Sequence, residues 1–418
     1  MAAILSNPKN TKELILETSF SFYKTLTSRE FSLNKLAEKV GISKPAIYRH
    51  FKNKEEILEK MQEKFFDDFA RYLEPLIKNP NDLDKSANII QFFLDNVDYV
   101  NYFLNQIMSK KNYEKAIKDE LKKRNLNISS YNFAQEKDNY GFTLNKKIVI
   151  KNTYAGITTL CVIKKLEKQG KKITEINTKE IAERIVHLML YGFKEVVSEK
   201  SFFYPSEVSE ERIDELDEIC KLNDDVFPKE SKFFVALAKV INEYRFTGIT
   251  IERFASELNM AKSSLYEYFK NKNELIRKLI TKELILLQTI ITENSIKANN
   301  FSEYIYIHLR SEFEYFKKRS LIIPICGWLL IDDDSWITED EITFENYWSR
   351  KIPNVKDENT GLFFDEKTFE DWMWCLPIGL VHQGLENNFT EDDFVKAIRF
   401  IFKSIQYGLK ESIDMVIN

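Results

Sequence analysis

The residue types that most often perform covalent chemistry are scattered in this chain. Its four cysteines, Cys161, Cys220, Cys326 and Cys375, lie far apart and form no CxxC pair, and His187, His308 and His382 stand without paired ligand spacing. Neither a disulfide framework nor a metal site is expected from that pattern, and a reducing, cytoplasmic compartment fits it. The triple Asp332-Asp333-Asp334 reads as a solvated turn. No Walker loop, GxGxxG, GxSxG or HExxH is present, so no catalytic constellation and no cofactor are called for. What does recur is a segment rich in lysine and aromatic residues. Residues 32–58 (SLNKLAEKVGISKPAIYRHFKNKEEIL) align without gaps on residues 250–276 (TIERFASELNMAKSSLYEYFKNKNELI). Lys44/Lys262, Tyr48/Tyr266, Phe51/Phe269, Lys52/Lys270 and Lys54/Lys272 are identical pairs. Lysine ammonium groups repeated in this way suit contact with an anion, and the aromatic rings suit packing.

Helices must position them. Gly41, and Asn259 at the same place in the second copy, are the residue types that tolerate the left-handed backbone ending a helix. Ser43 is placed to cap a following helix predicted to run through Phe51. Asn53 with Glu56, repeated as Asn271 with Glu274, forms a capping box that starts the next one. Upstream, Asn10 with Glu13 reads as the start of a longer helix carrying Ile15, Phe22 and Leu26 on one face; Phe233, Leu237, Ile241 and Tyr244 repeat that face. Two helices joined by a tight turn, with small Ala37 or Ala255 at the crossing, form a helix-turn-helix whose later helix can enter the DNA major groove.

Each half also closes alike, on Tyr191-Gly192-Phe193-Lys194-Glu195 and Tyr407-Gly408-Leu409-Lys410-Glu411. Two copies of one design therefore stand in tandem, which a length of 418 residues accommodates. A hydrophobic content of 44% excludes a disordered chain, and 11 Gly with 9 Pro argue against a β-sandwich. The net charge of minus 4 at first opposes a nucleic-acid partner. Divided along the repeat, it does the reverse. Residues 1–60 hold 11 Lys plus Arg against 7 acids and residues 229–282 hold 11 against 6, which leaves minus 13 for the remainder. Two basic segments on an acidic background are the footprint of a DNA reader. The longest strongly apolar run, 321–331, is broken by Pro324 and Gly327 and falls short of the ~20 residues needed to span a bilayer. No leader peptide is recognised at residues 1–10, and no membrane partner is expected.

The string GISKPAIYRHFKNKEEIL closely resembles the recognition region of TetR/AcrR-type transcriptional regulators, and the second copy resembles it more loosely. The resemblance implies an all-α fold: two tandem helix-turn-helix heads, each followed by a helical ligand-binding and dimerisation body, forming an intramolecular pseudo-dimer. The divisions expected are a first head at 1–60, a first body at 61–197, a linker at 198–228, a second head at 229–280 and a second body at 281–418; the linker is acidic, and Val208, Ile213, Leu216 and Ile219 at near-helical spacing predict a helix in it. Carried over residue by residue, Lys44, Pro45, Ala46, Tyr48 and Arg49 fall on the face that meets bases and phosphates, and Ser43, Tyr48, His50, Lys52 and Lys54 on the phosphate-contacting set. The counterparts are Lys262, Ser263, Ser264, Tyr266, Tyr268, Lys270 and Lys272. Ala261 in place of Ser43 and Glu267 in place of Arg49 depart from the pattern.

The function expected is that of a regulator, a ligand-responsive repressor on double-stranded DNA whose unlike heads prefer an asymmetric operator. The competing expectation is a regulatory protein with a degenerate second head that acts through protein partners. For the small-molecule effector, Trp328, Trp372 and Trp374 in the second body, with Phe92 and Tyr102 in the first, either line aromatic pockets or fill ordinary helical core.

Overall fold

A computed structural model describes residues 8–24, 31–77, 82–109, 113–126, 144–169, 177–227, 232–244, 248–323 and 366–409. Every regular element among these residues is a helix. They belong to two compact units, Met1–Asn132 and Phe133–Leu330 with Trp336–Asn418.

In the first unit, α1 (Pro8–Phe20) begins at a proline, which suits a first turn whose amides lack intrahelical partners. Asn10 consequently lies inside the helix rather than at its cap. A 3-10 turn, Ser21–Lys24, follows. α2 (Leu33–Val40) is capped by Ser32 and ends at Gly41, whose φ of 77° is the left-handed conformation that glycine allows without strain. α3 (Lys44–Tyr48) is capped by Ser43, whose hydroxyl accepts from the Ala46 amide. It stops short of Phe51, because the chain turns there to bury that ring against Ile15, Leu36, Ala37 and Ile47. α4 (Lys54–Ile77) spans about 36 Å at 1.5 Å per residue. Its Ile57 and Met61 complete the head, while Phe65, Phe69 and Leu73 enter a body made with α5 (Asp82–Asp95), α6 (Val97–Ser109) and α7 (Tyr113–Lys123). Phe20 meets Tyr99 at 4.6 Å and Tyr23 meets Tyr102 at 5.2 Å between ring centroids. Head and body of this unit share one continuous core.

α8 (Leu144–Lys168) and α9 (Thr178–Val196) close the first half of the sequence but fold into the second unit. There α8 packs on α16 (Glu366–Glu386) and α9 on α17 (Glu391–Tyr407). The stretch 61–197 is thus divided after residue 132, because the apolar faces of α8 and α9 are covered by the closing helices of the other half. Trp372 of α16 donates its indole N–H to Thr158 Oγ1 of α8 at 3.0 Å, with the rings of Tyr154 and Phe193 at 5.9 and 6.3 Å. Gly192 (φ 63°) and Gly408 (φ 83°) face one another so closely that a Cβ on the first would meet the Gly408 amide, and a Cβ on the second the Leu190 carbonyl. The Leu409 amide donates to the Met189 carbonyl at 2.8 Å across the same seam.

The helix expected in the acidic linker is α10 (Glu210–Cys220), capped by Ser209, and it lies on α15 (Phe301–Lys318) with Ile213, Leu216 and Cys220 buried. α15 is buried along residues 301–316, so its charges need partners. Arg310 pairs with Asp217 at 2.7 Å and Glu314 at 2.5 Å, and Glu303 with Arg212 at 2.8 Å. Asp217 also accepts from the Tyr306 hydroxyl at 2.6 Å and pairs with Arg399. Burial opposes its charge, yet Arg399, Tyr306 and Arg310 together hold its carboxyl below the usual range.

The second head repeats the first. α11 (Lys232–Tyr244), α12 (Ile251–Glu257, capped by Thr250) and α13 (Lys262–Leu265) lead into α14 (Lys272–Ser295). Leu237, Ile241, Phe254, Leu265 and Phe269 are its core. Asn259 adopts φ 52°, the same left-handed region that Gly41 occupies in the first copy. Ala261 supplies no side-chain cap, and α13 is correspondingly one residue shorter than α3.

Candidate nucleic-acid interface

The register of α3 sorts its residues onto two sides. Ile47 and Phe51 are buried, whereas Ser43, Lys44, Pro45, Tyr48, Arg49 and Lys52 are exposed and Ala46, His50 and Lys54 half-buried. Tyr48 leaves 48% of its surface in solvent, an unusual position for a large ring unless its hydroxyl has a partner to meet. At the start of α4, Asn53 Oδ1 accepts from the Glu56 amide at 2.8 Å and Glu56 Oε2 from the Lys52 amide at 2.5 Å, so two of the amides there are already engaged. Lys54 Nζ donates to the Phe31 carbonyl at 2.8 Å and sits 5.0 Å above that ring. Its ammonium has three protons, so this anchor leaves donors for a phosphate.

The second head has the same surface. Lys262, Ser263, Tyr266, Tyr268 and Lys270 are exposed, and Ser264 and Lys272 half-buried. Asn271 accepts from the Glu274 amide at 2.9 Å and Glu274 from the Lys270 amide at 2.6 Å, as in the first copy. Even the brace between the first two helices survives with its partners exchanged. Lys39 donates to Ser21 at 2.6 Å in one head, and Lys239 to Glu257 at 2.8 Å in the other.

Charge is where the heads part. Lys262 forms an ion pair with Glu252, in the first turn of α12, at the position aligned with Asn34. Lys262 and the amides of the helix start draw the Glu252 carboxyl down to about 2, and Glu252 in turn raises the lysine. Glu267, also exposed, stands where the first head has Arg49. Glu252 lies outside the recognition motif itself; its only signal in the sequence is the change from Asn34 to an acid at the aligned position.

The aromatic residues named for effector binding fall into different settings. Trp328 lies outside the described residues, as do Trp336, Trp348 and the Asp332-Asp333-Asp334 triple. Trp372 is fully buried in the seam between α8 and α16. Trp374 is 5.2 Å, ring to ring, from His308 of α15. Phe92 and Tyr102 sit in the aromatic core of the first unit, where Phe92 packs on Phe69 and Tyr102 on Phe65, and burial raises the Tyr102 hydroxyl. Among the described residues no group of three or more His, Cys, Asp or Glu is arranged to hold a metal, and no helix is long and apolar enough to cross a membrane.

A search of curated proteins finds no match to the chain. The family model described as "Bacterial regulatory proteins, tetR family" matches residues 29–61 and again residues 234–279. The first match covers α2, α3 and the opening of α4; the second covers α12, α13 and the neighbouring parts of α11 and α14. The chain therefore carries two helix-turn-helix segments of the tetR type, one in each half of its repeat.

Proposed function

We propose that this protein is a ligand-responsive transcriptional repressor that places both heads of one chain on double-stranded DNA, as a covalent pseudo-dimer on an asymmetric operator. The observation that carries this reading is the pairing of like with like in the second unit: α8 with α16, α9 with α17, and Gly192 with Gly408. An isologous interface has residue i meeting j while j meets i, and the two closing motifs meet in that reciprocal way. One polypeptide then supplies what two subunits supply in a symmetric dimer. The heads differ at Arg49/Glu267, Pro45/Ser263 and Asn34/Glu252, which favours half-sites that differ as well. Release requires a small molecule that binds one arrangement of the heads better than another. Continuous packing from body to head supports such coupling, through Tyr102 with Phe20 and Tyr23 in the first unit and through Arg319 over Phe234 in the second.

Selection of bound sequences from random DNA, repeated with Lys44→Ala and Lys262→Ala, tests this. The expected result is an asymmetric consensus that loses one half with each variant; no enrichment at low salt overturns it. The Glu252–Lys262 pair favours a second reading, in which the second head has left DNA for a protein partner. Loss of selection with Lys44→Ala, and none with Lys262→Ala, selects that alternative.

A further inference from the structure

The seam between the two halves holds a pair of cysteines. On α16, Trp372, Cys375 and Gly379 recur at i, i+3 and i+7 and so share one face. Trp372 meets α8 through Thr158, and a Cβ on Gly379 would stand 3.0 Å from the Ile157 side chain and 3.2 Å from that of Thr153, so this face lies against α8 at close range. On α8, Tyr154, Thr158 and Cys161 recur at i, i+4 and i+7, and the first two touch Trp372. Cys161 and Cys375 are thereby directed at one another, and the Cys161 thiol is hydrogen-bonded to Cys375. Both are present as thiols.

Their surroundings differ. Cys161 is buried, whereas Cys375 is half-buried. The hydrogen bond to Cys375, with burial, raises the Cys161 thiol well above its ordinary value, and the nearby Lys164 ammonium only opposes that rise. Cys161 therefore keeps its proton at neutral pH, and Cys375 is the sulfur that a solute reaches. An accessible cysteine beside a second one able to resolve it is the arrangement of a redox-responsive pair. Such a bond, formed and reduced in turn, is compatible with a reducing compartment. Cys220 lies elsewhere, against Ser311 of α15, and burial pushes its thiol up to about 12.

We propose that Cys161 and Cys375 are a modification site at which a hydroperoxide forms a disulfide across the seam, and that this oxidation is a signal to which the repressor responds. The Cys375 thiolate attacks one peroxide oxygen, forming an S–O bond and breaking O–O, and the proton lost by that thiol joins the departing oxygen. The Cys161 sulfur then attacks the Cys375 sulfur, the S–O bond breaks, and the hydroxide leaves as water with the Cys161 proton. Two thiols thereby lose two electrons and two protons, and the peroxide takes up both to become an alcohol and water. An S–S bond of ~2.05 Å is far shorter than a hydrogen-bonded contact between thiols, so α8 and α16 must shift where they meet. α16 also packs on α15, and Arg319 at the end of α15 lies over Phe234 of α11, so the shift has a packed route to the second head. The signalling part rests on the repressor reading above; the site itself does not.

The test uses the full chain with hydrogen peroxide as probe. Peptide mapping of wild type by mass spectrometry without reductant is expected to find Cys161 joined to Cys375, and dithiothreitol to reverse it. With Cys161→Ala the reaction should stop at a sulfenic acid on Cys375, trapped by dimedone; with Cys375→Ala, Cys161 should stay unmodified. No disulfide in wild type, or one that joins Cys220 or Cys326 instead, overturns the site. DNA titration separates the two layers. Oxidised wild type is expected to bind its selected DNA at least about fivefold more weakly than reduced wild type, and neither single variant to lose that affinity under peroxide. If the disulfide forms yet both states bind DNA equally, the site stands and its signalling role fails. If neither state binds DNA at all, the repressor reading fails while the peptide map still decides the site.

Discussion

At the scale of single residues, the two heads share a surface and differ in charge. Lys44 is exposed, whereas its counterpart Lys262 is held by Glu252. Lys44→Ala is expected to weaken binding across all sequences and to lower the slope of log affinity against log salt by about 1, as loss of one phosphate contact does; fluorescence anisotropy over a salt series measures it. Glu252→Gln frees Lys262 and removes a negative charge from the DNA-facing side, so low-salt affinity is expected to rise a few-fold. Unchanged affinity would show that Lys262 does not approach phosphate. The lysines, Tyr48 and the Asn53–Glu56 cap were legible in the sequence because each acts within a few residues of chain. The neutralisation of Lys262 was not, since it joins two helices through a contact ten residues apart.

At the scale of elements, the seam between the halves and the docking of α10 hold the second unit together. Gly192→Ala places a methyl against the Gly408 backbone at a positive φ, and an unfolding free energy lowered by about 1–3 kcal/mol is expected from urea titration. Trp372→Ala empties a fully buried site and is expected to cost about 3–5 kcal/mol. Since its indole N–H already serves Thr158, the effector response of whatever protein remains folded should persist. Asp217 ties α10 to α15 and α17. Its carboxyl is depressed in the folded state, so the stability it contributes is present at neutral pH and is lost as pH falls below the unfolded value of ~4. Asp217→Asn leaves Arg310 and Arg399 short of a counter-charge and is expected to lose about 3 kcal/mol, with a shallower acid limb in a stability–pH series measured by urea titration.

At the scale of the whole molecule, the pseudo-dimer proposed above needs no second copy of the chain. Analytical ultracentrifugation of the DNA-free protein is expected to find the 49.5 kDa chain mass. Particles of twice that mass only, together with a symmetric selected site, would sink the pseudo-dimer. Sequence alone determined the tandem repeat, the all-helical class, the helix-turn-helix with its caps and the concentration of basic charge in two segments. These rest on local periodicity, on residues with special backbone freedom such as Gly41 and Asn259, and on composition, none of which needs a fold to act. Tertiary structure alone decided that α8 and α9 leave the unit of the first head to pair with α16 and α17, that α10 is docked rather than a free tether, that Trp372 belongs to a seam while Trp374 faces His308, and that His308 and Glu312 are enclosed together. Those outcomes depend on which apolar faces cover one another across long stretches of chain, and burial, with the loss of water it imposes on every polar group, is a property of the packed whole.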